Sequence, residues 1–248
     1  MYNPSTGRRT ALPPHHYVYT VGSHTPRERR YESLGIGYDA SKRQHKVVRI
    51  YYRGDKLPQL CEVKVYVVDG EGFWRAPAAS GRHPEARKPA GWVSSYEASV
   101  FTQGHVHWMA QKQMPKKDYH WRVTRRGLIV SFSVADEAFG VVPLPPHVDY
   151  FGDYRLTELE GRLCLSTPTV RQDRPYDVWL LRDHETGTWD LRCRIDLHTA
   201  SPEVSRFMRC CVTPVAAMDD GRRILFMPSY ESSSSSSYVS GMQPAICP

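Results

Sequence analysis

Asparagine occurs once in the 248 residues, as Asn3, and Pro4 follows it, so the chain offers no N-glycosylation sequon. Long apolar runs are also missing. None approaches the roughly 18 residues that a membrane-spanning helix needs, and no apolar secretory leader stands at the start. These absences lead us to expect an intracellular protein of the cytoplasm or nucleus, without membrane association. The six cysteines, Cys61, Cys164, Cys193, Cys210, Cys211 and Cys247, include no C-x-x-C pair and no finger-like spacing to histidine. Reduced, mostly buried thiols are expected of them rather than a zinc site. Catalytic motifs are scarce as well. There is no P-loop and no G-x-S-x-G elbow, and "GIGYD" (35–39) has Gly-x-Gly without a third glycine or a following helical pattern. Asp136 and Glu137 are adjacent, so on a strand they diverge and cannot work together as general acid and base. We expect no enzyme activity, no cofactor and no bound metal.

What is present is alternation. Short β-rich runs include "KVVRIYY" (46–52), "EVKVYVV" (62–68), "GHVHWMA" (104–110), "GLIVSFSV" (127–134), "RLCLS" (162–166), "DVWLL" (177–181) and "RRILFM" (222–227). Turn residues separate them at short intervals, and helical periodicity is rare. That pattern predicts an all-β chain of many antiparallel strands. The formal charge of +7 is unevenly spread: residues 1–56 hold 11 Lys and Arg against 4 Asp and Glu, and the remainder holds 22 of each. The clusters "PRERR" (26–30) and "SKRQHK" (41–46) could meet phosphates or an acidic partner. The plainer reading is solvated loops beside strands.

One unit recurs: a β-run, a turn rich in Asp, Gly and small residues, an aromatic, and a second short run. In "VYVVDGEGFWRAP" the aromatic is Trp74, in "IVSFSVADEAFGVVPLPP" it is Phe139, and in "VWLLRDHETGTWDLRCRIDL" it is Trp189. The opening "MYNPSTGRRTALPP" has the same frame with Arg8 or Arg9 in that slot. Partner strands lie between the units, and the spacing is near the roughly 40–50 residues of a propeller blade. We assign the three aromatics the job of covering the gap between neighbouring sheets, as core rather than ligand-stacking groups.

Three segments leave this frame. Residues 78–92 are rich in Pro, Gly and Arg and end on Trp92; residues 111–126 are basic and carry Trp121, Arg125 and Arg126; "ESSSSSS" (231–237) is a serine-rich loop expected to be flexible. Interface energy concentrates on Trp, Tyr and Arg, so Trp92, Trp121, Arg125 and Arg126 are the candidate partner-binding residues. The bland reading is that these are unstructured loops. His105 and His107 would share one face of a strand, a candidate metal pair lacking an evident third ligand; surface or blade-edge histidines are the plainer expectation.

The stretches "YNPSTGRRTALPP", "GIGYDASKRQHKVVRI", "GHVHWMA", "IVSFSVADEAFGVVPLPP", "LTELEGRLCLS" and "DVWLLRDHETGTW" occur in this order, and together they resemble the F-box-associated domain of plant F-box proteins, a kelch-like family. The resemblance implies one domain over 1–248, a β-propeller-like array of antiparallel sheets, incomplete in this chain. It also implies a substrate-recognition module of an SCF-type ubiquitin ligase. Members of the family carry an N-terminal helical F-box that docks a Skp-type adaptor, and nothing in this sequence resembles it. The expected partner is therefore an unknown protein substrate, and the adaptor is not expected to bind. An open ring would leave an exposed sheet edge and a marginally stable chain. Two other readings stay open. One is a truncated decoy or non-functional paralogue; the other is a binder of nucleic acid or an acidic ligand through the basic first quarter, with nucleic acid the less expected target.

Overall fold

The computed structural model describes residues 7, 9–13, 30–53, 61–68, 70, 72–78, 84–93, 98–111, 127–146, 148, 154–166, 175–196, 198–204, 212–219, 221–228 and 245–247. Strands dominate them, and all strand pairs are antiparallel. The first sheet is β1 (Arg30–Asp39), β2 (Gln44–Arg53) and β3 (Cys61–Val67), in that spatial order. The second holds β4 (Trp92–Val93), β5 (Val100–Thr102), β6 (His105–Gln111), β7 (Gly127–Ser133) and β8 (Ala138–Val142), with β4 and β5 both pairing β6. The third is β9 (Arg155–Leu159), β10 (Arg162–Ser166), β11 (Tyr176–Asp183) and β12 (Thr188–Ile195), and the fourth is β13 (Val212–Met218), β14 (Arg223–Pro228) and β15 (Ala245–Cys247). The strand-rich runs of the sequence thus form strands, and the sheets stack in chain order as a propeller-like array. Among the described residues no helix is long and apolar enough to cross a membrane.

Strand alternation explains how one strand serves two seams. On β6, Val106, Trp108 and Ala110 join the core shared with the first sheet, while Met109 joins the core shared with the third. On β10 and β11, Leu163, Leu165 and Leu181 face the second sheet, whereas Cys164, Tyr176, Val178 and Leu180 face the fourth. Three seams therefore carry three apolar cores. Burial on both faces is why runs such as "GLIVSFSV" are nearly continuously apolar instead of alternating.

Among the described residues, the first sheet shows no outer strand where the repeat calls for one. Only an isolated bridge, Val65 with Arg75, follows the turn at 68–74. The next ladder position would be Pro77, which has no amide to donate, so the pairing ends there. The Gly-x-Gly of β1 has a packing role. A Cβ on Gly35 would lie 2.5 Å from Val106 Cγ1 and inside contact with the Trp108 ring; on Gly37 it would lie 2.6 Å from Val134 and 2.8 Å from Phe101. Only glycine lets β1 approach the second sheet this closely.

Candidate protein-binding rim

Consecutive strands of a meander turn alternately at the two ends of the array. At one end the turns are tight: 40–43, 103–104, 134–137, 160–161, 184–187 and 219–222. Their backbones need the left-handed conformation, taken by Arg43, Gln103, Gly104, Glu137, Glu160, Gly161, Gly187, Asp219 and Gly221. At the other end β2 and β3 are joined through 54–60, β6 and β7 through 112–126, β10 and β11 through 167–175, and β14 and β15 through 229–244. Long connections on one rim of a rigid β scaffold are the usual carriers of binding function.

The tight end is locked by charge. Lys46, 1% exposed, places Nζ 2.9 Å from Asp39 Oδ2 and 3.0 Å from Glu137 Oε1, and donates to the Val134 carbonyl at 2.7 Å. Arg75 donates to both Glu137 oxygens, at 2.6 and 2.5 Å, and the Ala78 amide donates to Oε2 at 2.6 Å. Two anions and two cations thus join the first sheet to the β7–β8 turn of the second. Burial pushes the Glu137 carboxyl up, but Arg75, the Ala78 amide and Lys46 together hold it at about 2. Burial likewise opposes ionisation of Asp39, yet hydrogen bonds from Ser41, Lys46 and the Lys42 amide hold it well below the carboxylate range. Lys46 belongs to the basic run 41–46, so the expectation of solvated cations there is corrected at this position: the inter-sheet acids draw it inside. Arg49 is also buried, against Glu32 at 2.8 Å.

Phe139 and Trp189 lie at the seams, whereas Trp74 lies on the face of the first sheet turned away from the second. Trp74 packs on Tyr66, 5.6 Å between centroids, and its Nε1 donates to the Pro13 carbonyl at 3.0 Å. Phe139 packs edge-on to Phe132 at 4.9 Å. Trp189 is buried, and its Nε1 donates to the Pro143 carbonyl at 2.7 Å. In two sheets, then, the ring beyond the turn is tied to the Pro-rich segment that leaves the preceding repeat.

The long rim is anchored at its roots. Tyr52 Oη donates to the Gly91 carbonyl at 3.1 Å and accepts from the Val93 amide at 3.0 Å, which fixes 91–93 beside the end of β2. Trp92 pairs with Gln111, the last residue before 112–126. The two loops singled out in the sequence therefore spring from neighbouring positions. Trp92 itself is half-buried, edge-on to Tyr52 at 6.4 Å and packed against the first core. Tyr176 Oη donates to the Val212 carbonyl at 2.9 Å and ties the third sheet to the fourth at the same rim. Trp121, Arg125, Arg126 and the serine run 231–237 lie outside the described residues.

His105 and His107 share a face of β6, the seam with the third sheet; His107 is wholly buried there, which corrects the expectation of a surface or blade-edge histidine at that position, while His105 is only partly buried. The β11–β12 turn brings a third ring, His184, against them. Sequence reasoning missed it because 77 residues of chain separate the partners. Among the described residues no group of three or more His, Cys, Asp or Glu is arranged to hold a metal ion. Cys164 and Cys61 are buried thiols, pushed up to about 12 and about 11 by burial, and Cys193 is half-buried.

An array of antiparallel sheets with one elaborated rim defines a propeller-type scaffold. The chain belongs to the F-box associated beta propeller domain family, whose model matches residues 1–243. It is 28% identical over 203 residues to the F-box protein CPR1 of Arabidopsis thaliana, a match covering 74% of this chain and 44% of that protein. It is 24% identical over 238 residues to the F-box protein At4g22390 of the same plant, covering 91% of this chain and 54% of that protein. The chain spans about half the length of each of these relatives.

Proposed function

We propose that this chain is a protein-interaction module that recognises the substrate of an SCF-type ubiquitin ligase and has no catalytic chemistry of its own. The observation that carries the reading is the asymmetry of the rims. At one end six hairpin turns are four residues or fewer, with only the turn at 68–74 longer among the described residues, and the long connections between paired strands gather at the other. The partner is held by the long rim, with Trp92 rooted at its edge and Trp121, Arg125 and Arg126 on the loop that leaves beside it. We read residues 1–243, which match the associated-domain family model, as the substrate-binding part, and on that reading expect no Skp-type adaptor to bind them. Of the basic run 41–46 that suggests the alternative of a basic ligand-binding patch, Lys46 is buried in ion pairs while Lys42 and Arg43 are exposed.

The test is proximity labelling in plant cells, followed by binding measurements with the purified partner. Replacing 113–125 by a short Gly-Ser linker, or Trp121→Ala with Arg125→Ala and Arg126→Ala, is expected to weaken partner binding at least tenfold while leaving the melting temperature unchanged. Unchanged affinity in both variants would end the reading. The intact chain is expected not to capture the adaptor; capture would contradict it.

A further inference from the structure

At the tight-turn end, the second seam repeats the layout of the first with different chemistry. Gln44 opposes Asp39 in the first sheet and His105 opposes Thr102 in the second, so Lys46 and His107 hold equivalent positions two residues into β2 and β6. Where Lys46 meets carboxylates, His107 meets imidazoles. His184 stacks on His105 with 3.8 Å between centroids and 18° between planes, and lies 5.3 Å from His107. His107 Nδ1 sits 3.2 Å from the Val100 carbonyl and His105 Nδ1 sits 2.9 Å from the Gln103 carbonyl. A carbonyl only accepts, so we assign the ring proton to Nδ1 in both and a bare lone pair to Nε2. Nε2 of His107 and Nε2 of His184 are buried without a hydrogen-bond partner.

We propose that the seam between the second and third sheets is an acid-sensitive joint, closed while His107 and His184 are neutral and opened when they are protonated. A proton on His107 Nε2 would create a buried cation with no acceptor, beside a stacked pair too close to share a second charge. The neighbouring elements supply little relief. β5 offers Thr102 and the Val100 carbonyl, which are uncharged. β7 offers Ser131 and Ser133, with Asp136 held on the Ser133 hydroxyl at 2.7 Å. Glu158, on the face of β9 turned to the second sheet, accepts the Gly161 amide at 2.6 Å. Asp183 accepts the Glu185 amide at 2.9 Å and the Thr186 hydroxyl at 2.7 Å. Asp183 favours a charged His184, but burial and His105 outweigh it and hold that ring down at about 4. Burial and His184 hold His107 at about 3.

An open joint returns both rings to water, where a histidine titrates near 6.5. Lowering the pH from 7.5 to 5.0 should then raise the opening equilibrium about 30-fold for each ring freed. The first seam should stay shut over this range, because Glu137 remains ionised down to about 2.

The experiment is amide hydrogen exchange on the intact chain at pH 7.5 and 5.0, corrected for intrinsic rates. We expect peptides from β6, β9 and β11–β12 to lose at least 30-fold protection at pH 5.0, with β2 and β3 little changed. His107→Gln with His184→Gln should remove that pH dependence. Uniform loss across all sheets, or the same loss in the variant, would overturn the proposal. Stronger protection of this seam on adding zinc at pH 7.5 would also overturn it, because the rings would then be metal ligands. Should the variant fail to fold, histidine ring NMR of the intact chain decides: two rings still neutral at pH 5.0 support the joint, and all rings titrating near 6.5 refute it.

Discussion

Between β1 and β2 the chain reverses within 40–43, whereas between β6 and β7 it spends 112–126 on the same reversal. Both connections join antiparallel neighbours, and the shorter one suffices for that. Residues at the tight rim are spent on holding sheets together: Asp39, Lys46 and Glu137 at the first seam, His105, His107 and His184 at the second. At the long rim the structural work is done close to the sheets, by Tyr52 on 91–93 and Tyr176 on Val212. Recognition is the role we propose for the chain beyond those anchors. On the proposed function, stability and binding are divided between opposite ends of the same strands, and substitutions should sort accordingly.

The largest effect should come from Lys46→Ala, which leaves Asp39 and Glu137 facing each other as buried anions. We expect a loss of about 3–5 kcal/mol in urea denaturation; a loss below about 1 kcal/mol would show that the ions are not what locks the first seam. Gly35→Ala should follow, at about 1–3 kcal/mol, because the added methyl meets Val106 and Trp108. A neutral result there would mean that β1 can withdraw from the second sheet without cost.

Acid separates the two seams. The rings of His107 and His184 are held below their unfolded value, so they contribute stability that is complete above about pH 6.5 and is lost as pH falls toward 4 and 3. Glu137 and Asp39 are also depressed, and their contribution is present above about pH 4.5 and lost as pH falls toward 2. A stability profile should therefore decline in two stages, and His107→Gln with His184→Gln should erase the upper one alone. A smaller effect, about 1–3 kcal/mol, is expected from Trp189→Phe, which keeps an aromatic ring but deletes the hydrogen bond to Pro143 and part of the buried indole. Substitutions at Trp121, Arg125 and Arg126 should change melting by least of all.

Strand positions were readable because alternation is a local signal: "EVKVYVV" and "GLIVSFSV" each fell within a residue or two of β3 and β7. The hairpin turns were readable for the same reason. What joins the sheets was not. Lys46 sits in a basic run, and only its register opposite Gly37 and the docking of the β7–β8 turn reveal that it is interior. Gly35 and Gly37 looked like a fragment of a nucleotide loop because the rings that demand them, Trp108 and Phe101, arrive from another sheet. His184 lies in the turn "DHETG" (183–187), whose local pattern gives no sign that its ring reaches β6. That the first sheet shows no outer strand among the described residues was legible in hindsight from Pro77. The clustering of Trp92 with the start of 112–126 depends on β4 pairing with the end of β6, a contact that no local pattern announces.

The division of labour is tested most directly by measuring one partner's affinity and the melting temperature for two variants side by side, the 113–125 replacement and Lys46→Ala. The account predicts lost affinity with unchanged melting in the first, and lowered melting with near-native affinity below the transition in the second. Full affinity in the first variant, at native melting temperature, would contradict it.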